Sequence, residues 1–468
     1  MASVAGLAQQ AGYHVVGSDM NLYPPMSTML EELNIPVLSP YAPENILKSN
    51  ADLVVVANAL SRNHIELEAM LGAQIPYTSF PAFLGDHFLS QRSTVVVAGT
   101  HGKTTTSSLM AHVLVQLGAD PGYLIGGIPR TLPRSFDLGK GPIFVIEGDE
   151  YDTAFFDKHS KFLHYRPKFV ILNNIEFDHA DIFPNLAAIE AEFSSLLALV
   201  PDASTIIANT DDPGVAKLLE QLNLKDKVTS VAARGQSQTA QVRLLSLEAP
   251  TSNQDGYWNV TLEVAGLGKG TIRSQLAGPH NAANICQVVA CLWSLSKNGL
   301  LPKLSFEAIA QAIASFTGVK RRLDKLASVS NIDIYEDFAH HPTAVKTVIE
   351  SMRSLYPKNR LLVAFEPKNA TSRRNIFMKD FADSLSLADG VFIGPCPVDQ
   401  RIPADLRMDT AEMAKLIGTK ASAFSDNETL LDGLVGLARP NDTILFMSSG
   451  SFSGIQYRLG ERLAHKIR

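Results

Sequence analysis

The stretch VVVAGTHGKTTTSSLMAHVL, residues 95–114, constrains the fold more than any other part of the sequence. An apolar run leads into a turn with two glycines and a lysine, and a helical pattern follows. In that order, the turn and the positive end of the helix present backbone N–H groups to phosphate oxygens. The turn is shorter than the standard phosphate-binding pattern, which would need a glycine at Val97. We therefore predict a nucleotide-binding α/β unit with a shortened loop, the alternative being an ordinary strand-turn-helix with a capping threonine.

The composition is that of a multidomain globular protein. The chain has 468 residues, which predicts about three domains. A net charge of −6 argues against broad nucleic-acid binding, which needs a basic surface. No apolar run approaches the roughly 20 residues of a membrane span, and the first residues lack a secretion signal, so we expect a cytoplasmic protein. Three scattered cysteines, Cys286, Cys291 and Cys396, fit reduced packing residues better than disulfides or a zinc cluster.

Helix and strand patterns alternate along the chain and predict an α/β fold of three domains. We predict a Rossmann-like N-terminal domain at residues 1–91, a central P-loop domain with a parallel sheet at 92–316, and a C-terminal Rossmann-like domain at 317–468. The buried-type strands of the last two domains are TVVVA, PIFVIEGD, KFVILNN and STIIANT, followed by NIDIYEDFA, RLLVAFEP, DGVFIGP and DTILFMSSG. Between about Gln241 and Ala277, short alternating runs predict antiparallel strands appended to the central sheet.

The N-terminal domain lacks one expected piece. Nucleotide-type folds open with a strand and a glycine turn that holds diphosphate, whereas this sequence opens with a helix pattern that ends near Gly12. Either the sequence is truncated at an internal methionine, or the domain has lost its first strand and part of a diphosphate site. We favour truncation, which would remove backbone N–H donors from that site.

Polar residues follow the buried strands of the central domain, at the edge where parallel sheets bind ligands. Glu147 ends one strand, and its carboxylate is suited to hold Mg²⁺ with the hydroxyl of Thr104, while Lys103 reaches the phosphates. We expect the acidic residues that follow to lie in a solvated loop or helix cap rather than to bind a ligand: Asp149, Glu150 and Asp152.

The next strand ends in an unusually polar segment, NNIEFDHAD. It brings four polar residues to the same edge of the sheet: Asn173, Glu176, Asp178 and His179. Nitrogen is an atypical magnesium ligand, so chemistry alone leaves a structural role and a ligand role for His179 equally open.

Six motifs, in this order along the chain, resemble those of the Mur ligase family of ATP-dependent amide-forming enzymes: GTHGKTTT, EGDEYD, NNIEFDHADIF, GPHNAANI, GVKRRL and YEDFAHHPTAV. The resemblance implies that ATP phosphorylates a carboxylate and that an amine attacks the acyl phosphate, with Mg²⁺ required. It implies that Lys103 contacts the phosphates, that Thr104 and Glu147 hold one Mg²⁺, and that His179 contacts a second, so Lys103, Glu147 and His179 are catalytic. The implied ATP loop comprises Gly99, Thr100, His101, Gly102, Lys103, Thr104 and Thr105.

The resemblance extends to residues outside the loop. It implies that Asn281 and Asn284 lie near adenine and that Arg322 and Asp337 close over the nucleotide from the C-terminal domain. Helix capping and a surface ion pair are the alternatives. Several family members carry a carbamoylated lysine near the position of Glu190, which is equally well an exposed helix residue.

The segments GSDMNLYPPMSTMLEE and ILFMSSGSFSGI are similar to a branch of the family that acts in peptidoglycan recycling. This implies a ligase that joins the lactyl carboxylate of UDP-N-acetylmuramate to the amine of L-Ala-γ-D-Glu-meso-diaminopimelate. Implied substrate contacts are Ser18, Asp19, Asn58, His340, Lys368, Asn369, Arg373 and Arg374. Arginine forks suit peptide carboxylates, although exposed basic residues at a helix start are the alternative, and His340 and His341 are equally placed to cap a helix before Pro342.

These substrates are small molecules, and we expect neither nucleic-acid nor membrane partners and a monomer or weak homodimer. Two other functions stay open. One is the family reaction that adds L-alanine to UDP-N-acetylmuramate. The other is a non-ligase, ATP-driven binding protein, with a catalytically impaired binder of wall precursors as a variant.

Overall fold

The computed structural model describes residues 1–234, 237–250 and 256–466. We refer to residues 1–91, 92–316 and 317–468 as the N-terminal, central and C-terminal units, and these exact boundaries remain predictions. Each unit has its own sheet or sheets, flanked by helices. The α/β class and the three-unit architecture predicted from the sequence are confirmed.

The N-terminal unit alternates helices with short parallel strands. Its helices are α1 (Ala2–Gln10), α2 (Met26–Glu32), α3 (Pro43–Leu47), α4 (Ile65–Gly72) and α5 (Phe80–Leu84), and its strands are β1 (Gly17–Ser18), β2 (Val37–Leu38), β3 (Val54–Val56) and β4 (Tyr77–Ser79). They form two separate parallel pairs, β1 with β2 and β3 with β4. Helix α1 packs on the central unit at Gly6, where any Cβ would overlap the ring of Phe136.

The central unit is built on one ten-stranded sheet. The strands of the unit, of which β9 and β10 lie outside that sheet, are β5 (Ser93–Ala98), β6 (Gly122–Leu124), β7 (Phe136–Asp137), β8 (Ile143–Gly148), β9 (Asp152–Ala154), β10 (Asp157–Ser160), β11 (Phe169–Leu172), β12 (Ile206–Asn209), β13 (Thr229–Ala232), β14 (Val242–Glu248), β15 (Trp258–Val264) and β16 (Gly268–Ser274). Its helices are α6 (Lys103–Gln116), α7 (Leu186–Ala198), α8 (Pro213–Gln221), α9 (Pro279–Lys297) and α10 (Phe306–Ala314).

Strand order in that sheet is β16-β15-β14-β13-β12-β11-β5-β8-β6-β7, while β9 and β10 form a separate hairpin. The P-loop strand β5 lies between β11 and β8, parallel to both, so three strand ends converge beside the loop. These strands are apolar along both faces because helices cover the sheet on each side. Strands β14, β15 and β16 pair antiparallel at one edge, which confirms the predicted appendage.

The C-terminal unit has a six-stranded sheet of order β17-β18-β22-β19-β20-β21. Its strands are β17 (Asp324–Val329), β18 (Ile332–Asp337), β19 (Arg360–Phe365), β20 (Gly390–Ile393), β21 (Ala421–Ala423) and β22 (Asp442–Met447), and its helices are α11 (Pro342–Leu355), α12 (Met378–Leu385), α13 (Thr410–Ile417), α14 (Asn427–Leu437) and α15 (Ile455–Lys466). All strands except the edge strand β17 run parallel. Helices α11 to α13 pack on one face and α14 and α15 on the other, as in a doubly wound fold.

The chain passes from the central to the C-terminal unit along a segment that pairs back onto the central unit. The backbone N–H of Arg130 donates to Gly318 O at 3.0 Å, and that of Lys320 donates to Ile128 O at 3.0 Å. The guanidinium of Arg130 also pairs with the carboxylate of Asp324. The start of the C-terminal unit is thus tied to the loop that follows β6. Within the described ranges, no helix is long and apolar enough to cross a membrane.

Candidate active site

The shortened P-loop connects β5 to α6 and depends on two glycines. Gly99 has a φ of 129° and Gly102 a φ of 83°, a region that side chains with a Cβ rarely adopt. A Cβ at Gly102 would also lie 2.9 Å from both Asn173 Nδ2 and Asn284 Oδ1. The loop therefore packs directly against side chains from β11 and α9.

Two asparagines at the end of β11 hold the loop backbone. The N–H of His101 donates to Asn174 Oδ1 at 2.7 Å, and Asn173 Nδ2 donates to His101 O at 3.1 Å. Asn173 is in turn bound by Gln287 of α9, whose Nε2 donates to Asn173 Oδ1 at 2.7 Å. Asn173, one of the polar strand-end residues singled out in the sequence, thus shapes the loop.

Lys103 begins helix α6 and turns its amine back over the loop. Its Nζ donates to Gly99 O at 2.7 Å, to Thr100 O at 3.2 Å and to the carboxylate of Glu150 at 2.8 Å. Burial lowers the pKa of Lys103, but the nearby carboxylates outweigh that effect and the net pKa is raised. The lysine therefore stays protonated beside the loop carbonyls and Glu150, at the start of the helix in which Thr105 is buried.

Glu147, at the end of β8, meets the first turn of α6 as predicted. Thr104 Oγ1 donates to Glu147 Oε2 at 3.1 Å, while Ser107 Oγ and Gly126 N donate to Oε1 at 3.3 Å and 2.6 Å. Burial raises the pKa of Glu147, and these hydrogen bonds oppose the rise. A hydroxyl and a carboxylate oxygen thus lie side by side, the donor set that Mg²⁺ prefers.

The prediction of a solvated loop was wrong for Glu150, which is 2% exposed. Its Oε1 lies 3.0 Å from His179 Nε2, and its Oε2 lies 2.8 Å from Lys103 Nζ, so one carboxylate bridges the lysine ammonium and the histidine ring. Burial raises the pKa of Glu150, but Lys103 and His179 outweigh it and the net pKa is lowered. The Lys103 ammonium and the hydrogen bond with His179 stabilise this buried anion.

The neighbouring acidic residues have other partners. Asp149 pairs with Lys161 Nζ at 2.6 Å, and Asp152 pairs with Lys158 Nζ at 2.7 Å. The Lys158 side chain is 69% exposed, which fits the solvated setting predicted for Asp152. Only Glu150 of the three reaches the Lys103 amine by hydrogen bonding among the described contacts.

His179 follows β11 in the left-handed region, with a φ of 55°. That conformation costs about 1 kcal/mol for a residue with a side chain, and it is held by Asp178 Oδ1, which accepts the His179 N–H at 2.7 Å. The ring packs against Tyr151, with centroids 4.2 Å apart. Nε2 faces Glu150, whereas Nδ1 is buried without a protein partner in the described structure. A free buried lone pair beside the P-loop suits a ligand role for His179.

The mixed donor set therefore fits the predicted metals. Thr104 and Glu147 have oxygens that could bind one Mg²⁺, and His179 has the unpartnered nitrogen Nδ1 that could bind a second ion. A buried polar atom without a hydrogen-bond partner costs free energy unless a ligand pairs with it. His179 Nδ1 is such an atom among the described residues.

Glu190 does not fit the exposed-residue alternative left open by the sequence. It is buried on α7 rather than exposed, and its carboxylate pairs with Lys217 Nζ of α8 at 2.7 Å. Its described polar contacts therefore join two helices and do not reach His179. Glu150, rather than Glu190, is the acidic side chain that contacts this histidine.

The two asparagines of α9 lie on the first turns of that helix and are buried. Asn281 Nδ2 donates to Ala277 O at 2.8 Å, and Asn284 Nδ2 donates to Asn281 Oδ1 at 3.1 Å. Neither side chain caps the helix, whose N-cap is Gly278. Asn284 lies against Gly102 of the P-loop, so this pair adjoins the predicted nucleotide site.

Arg322 brings the C-terminal unit to the P-loop. Its Nη2 donates to Thr104 Oγ1 at 3.4 Å, and its guanidinium lies 5.0 Å from the centre of the Phe338 ring. Asp337 accepts the N–H of Leu323 and of Ala339, both at 2.7 Å, and thereby fixes the two turns beside Arg322. For Arg322, the alternative of a surface ion pair does not describe these contacts.

In the N-terminal unit, the predicted substrate residues lie where strands end. Ser18 Oγ donates to Glu66 Oε1 at 2.7 Å, and Asp19 Oδ1 accepts the N–H of Asn21 at 3.1 Å. Asn58 is half-buried in the turn after β3. The buried Glu66, absent from the predicted set, also accepts from the Ala42 N–H at 3.1 Å and so links β1 to α3 and α4.

The loop after β19 carries the predicted peptide contacts and is half-buried. Arg373 Nη2 pairs with Asp399 at 3.1 Å, and Ser372 N donates to Asn369 Oδ1 at 2.9 Å. Arg374 forms a backbone bridge with Arg407, and the Nε atoms of both Arg373 and Arg374 are buried without partners in the described structure. The side chain of Lys368 lies against Gly450. Lys368 is exposed, but Arg373 and Arg374 are not, so the alternative of two exposed basic residues is wrong for the arginines.

This loop also reaches the central unit. Thr371 Oγ1 donates to Asp178 Oδ1 at 2.8 Å, next to His179. His340 Nδ1 lies 2.8 Å from Phe338 O, and burial lowers the pKa of His340 to about 4. His341 occupies the N-cap of α11, but its side chain makes no capping bond.

Sequence reasoning missed Glu150, Asn174 and Thr371. The sequence marks Glu150 only by its position two residues after the end of a buried strand. Asp149 lies one residue after the same strand, so position alone does not distinguish the two. Thr371 contacts Asp178 across 193 residues, a separation that local pattern does not encode.

Known protein families match the chain in three consecutive segments. Residues 1–92 match the family described as "Mur ligase family, catalytic domain", residues 97–292 match "Mur ligase middle domain", and residues 321–450 match "Mur ligase, glutamate ligase domain".

Individual relatives match over nearly their full length. The UDP-N-acetylmuramate–L-alanyl-γ-D-glutamyl-meso-2,6-diaminoheptandioate ligase of Escherichia coli K12 is 38% identical, over 100% of this chain and 96% of the relative. The UDP-N-acetylmuramate–L-alanine ligase of Aquifex aeolicus is 28% identical, over 97% and 93%. The crystal structure of a murein peptide ligase from Psychrobacter arcticus has a TM-score of 0.70 at 31% identity, covering 99% of this chain and 96% of that one.

Proposed function

Because this chain belongs to the Mur ligase family, whose members form amide bonds with ATP, we propose that it joins UDP-N-acetylmuramate to the tripeptide L-Ala-γ-D-Glu-meso-diaminopimelate. The substrates named for the Escherichia coli relative support this choice, at 38% identity against 28% for the Aquifex aeolicus ligase that adds L-alanine. The proposed role is peptidoglycan recycling in the cytoplasm, with UDP-N-acetylmuramate and wall peptide as small-molecule partners.

One observation carries the proposal at the level of chemistry. Lys103, Thr104, Glu147, Glu150 and His179 converge on the end of β5, β8 and β11. Arg322 of the C-terminal unit reaches Thr104 there. Two anionic reactants need this combination of fixed cations, backbone donors and a shielded pocket.

In the proposed reaction, a lactyl carboxylate oxygen of UDP-N-acetylmuramate attacks the γ-phosphorus of ATP, and ADP leaves. The amine of the tripeptide then attacks the acyl carbon, the tetrahedral adduct expels inorganic phosphate, and the nitrogen loses its proton. Lys103 and the loop N–H groups bind the phosphoryl oxygens, and Arg322 adds positive charge once the C-terminal unit is closed. Reaction through a protein nucleophile is unnecessary.

Magnesium belongs to the proposal. Thr104 and Glu147 would hold one Mg²⁺, and His179 a second ion, as their donor atoms allow. When bound, Mg²⁺ would neutralise phosphate charge. Glu150 keeps the His179 ring and the Lys103 amine oriented, since its two oxygens bind one each.

For the peptide, we propose that Arg373 and Arg374 bind carboxylates of the tripeptide. Their unpartnered Nε atoms lie in the loop after β19, which contacts Asp178 beside His179 through Thr371. An incoming carboxylate would compete with Asp399 for Arg373. A single L-alanine has one carboxylate, whereas the tripeptide offers several, so two half-buried arginines favour the longer substrate.

The test is phosphate release from ATP and Mg²⁺ with UDP-N-acetylmuramate, comparing the tripeptide, L-alanine and no amine. We expect release and a UDP-linked product of summed mass with the tripeptide only. Release with L-alanine alone would assign the protein to the alanine-adding reaction. Phosphate release that depends on neither UDP-N-acetylmuramate nor the amine would identify an ATP-driven binding protein instead. Lys103→Met serves as the inactive control in each arm.

A further inference from the structure

A second cluster of potential metal ligands lies at the junction of the central and C-terminal units. It comprises His101 of the P-loop, Glu176 after β11 and His341 at the start of α11. Their ligand atoms all lie within 4.8 Å of one another. Glu147 and the Glu150–His179 pair, which serve the proposed Mg²⁺ ions, are not members of this cluster.

Within the described part of the chain, the two histidine nitrogens that face Glu176 have no hydrogen-bond partner. His101 Nε2 lies 3.6 Å from Glu176 Oε2, and His341 Nδ1 lies 3.7 Å from the same oxygen, both beyond hydrogen-bond distance. Two ligands that each lie about 2.1 Å from a zinc ion are about 3.4 Å apart in a tetrahedral site. These separations fit a shared ion better than direct hydrogen bonds.

Polar contacts with neighbouring groups orient both His341 and Glu176 for metal coordination. His341 Nε2 lies 3.1 Å from the carbonyl oxygen of Phe177. An Nε2–H donated to that carbonyl leaves the lone pair on Nδ1, the arrangement that typically orients a metal-bound histidine. Glu176 Oε2 accepts the hydroxyl of Thr343 at 2.6 Å, which fixes the carboxylate.

The charge states also suit a cation. Burial lowers the pKa of His341 to about 4, so its imidazole is neutral near pH 7. Burial raises the pKa of Glu176, but the neighbouring histidines and the Thr343 hydroxyl outweigh it, and the net pKa falls to about 2. The rings of His101 and His341 lie with centroids 4.8 Å apart, too close for two imidazolium ions to be favourable.

We propose that His101, Glu176 and His341 bind a divalent transition-metal ion of the Zn²⁺ class. Two imidazole nitrogens and one carboxylate oxygen form a set that zinc accepts and that magnesium, which prefers oxygen, does not. His101 and Glu176 are partly exposed, so water completes the coordination. The ion ties α11 of the C-terminal unit to the P-loop turn.

The test uses the full-length protein, stripped of metal and free of ATP, in buffer with excess Mg²⁺. Zn²⁺ is titrated by calorimetry, and Co²⁺ is titrated by visible absorption, which reports directly on a low-coordinate nitrogen and oxygen site. We expect one ion per chain and an intense Co²⁺ band. Glu176→Gln and His341→Gln are each expected to weaken Zn²⁺ binding on the order of 100-fold and to abolish the band.

The matched control is His159→Gln. His159 is an exposed histidine that, with His164, contacts Asp157 on the hairpin β9–β10, so it represents another place where Zn²⁺ could bind. We expect it to leave Zn²⁺ affinity and the Co²⁺ band unchanged. Circular dichroism verifies the fold of each variant, and if His341→Gln is unfolded, the isosteric Glu176→Gln decides alone.

Three results would overturn the proposal. One is a wild-type protein that shows only a weak, six-coordinate Co²⁺ spectrum. Another is a folded Glu176→Gln variant that binds Zn²⁺ as tightly as the wild type. The third is loss of the high-affinity site in His159→Gln, which would place the ion on the hairpin.

Discussion

At the scale of single residues, the candidate active site depends on Glu150, which contacts both Lys103 and His179. Its two oxygens are buried, and removing the charge would leave a buried lysine without its counter-ion. We expect Glu150→Gln to lower the rate of phosphate release on the order of 100-fold and to lower the thermal unfolding midpoint. Steady-state kinetics with saturating ATP measures the first effect, and calorimetry the second.

Asp152→Asn is the control for that substitution, because Asp152 lies in the same acidic segment but pairs with the exposed Lys158. Exposed ion pairs contribute little, so activity is expected to stay within about twofold of wild type. Equal losses in both variants would mean that the segment acts through its overall charge, contrary to a specific role for Glu150.

Substitution of Glu190, unlike that of Glu150, is expected to change activity and stability little. Its carboxylate pairs with Lys217, whose side chain is 53% exposed. We expect Glu190→Gln to keep activity within about threefold and to cost less than about 1 kcal/mol of stability. Measuring the rate against Mg²⁺ concentration tests this: a sharply increased Mg²⁺ requirement would show that Glu190 supplies the extra anion of the carbamoylated lysine after all.

The contrast between Glu147 and Glu150 shows what the sequence predicts at this scale. Glu147 was predictable because it ends a buried strand beside the P-loop, and strand ends are where such sheets bind ligands. Glu150 lies beyond the strand, where the chain is free to turn outward, and its burial depends on Lys103, 47 residues away. Local pattern does not report such a partner.

At the scale of secondary-structure elements, the shape of the P-loop depends on Gly102. We expect Gly102→Ala to weaken ATP binding by at least about tenfold, because the new Cβ would displace Asn173 and Asn284, each with an atom 2.9 Å away. The positive φ adds a penalty of about 1 kcal/mol. Isothermal titration with a non-hydrolysable ATP analogue measures the loss.

Gly118, at the other end of the same helix, separates the two effects. It has a φ of 75°, but no atom of the described residues lies within 4 Å of the position that a Cβ would occupy, so Gly118→Ala carries the backbone penalty alone. Both variants are expected to lose thermal stability, Gly102→Ala more than Gly118→Ala, and only Gly102→Ala is expected to lose nucleotide affinity. Equal affinities would mean that the contacts with the two asparagines do not shape the loop.

The elements themselves were predicted to different extents. The strands of the central and C-terminal sheets were predictable because they are buried on both faces and read as continuous apolar runs. In the N-terminal unit, β1 is only Gly17–Ser18 within the longer predicted run YHVVGSD, since the preceding residues are partly exposed and unpaired in the described ladder. Short strands with little burial leave a weak sequence signal.

At the scale of the whole molecule, long-range contacts bring the C-terminal unit onto the central one. Arg322 contacts Thr104, Thr371 contacts Asp178, and His341 faces Glu176. The resemblance to a known family implied the first contact, but none of the three follows from periodicity, because each joins residues more than 160 positions apart. The contacts between units are therefore the feature of the site that is hardest to predict from the sequence.

This junction gives the protein a defined dependence of stability on pH. His280, at the start of α9, lies with Nδ1 3.5 Å from Ser351 Oγ of α11. Burial, with the charge of Arg322 as a smaller cause, lowers the pKa of His280 from 6.5 to about 4. Between these values the unfolded chain binds a proton that the folded protein does not, so stability is full above pH 6.5 and falls as the pH drops toward 4.

The expected contribution of His280 is a loss of about 2 kcal/mol between pH 8 and pH 5. His280→Gln keeps a neutral polar side chain and removes the titration, so its unfolding midpoint should fall less than that of wild type over this range. His340 and His341, whose pKa values burial also lowers to about 4, contribute the same sign in both proteins and cancel in the comparison. Thermal unfolding at several pH values measures the difference, and parallel curves for the two proteins would show that His280 is protonated equally in the folded and unfolded states.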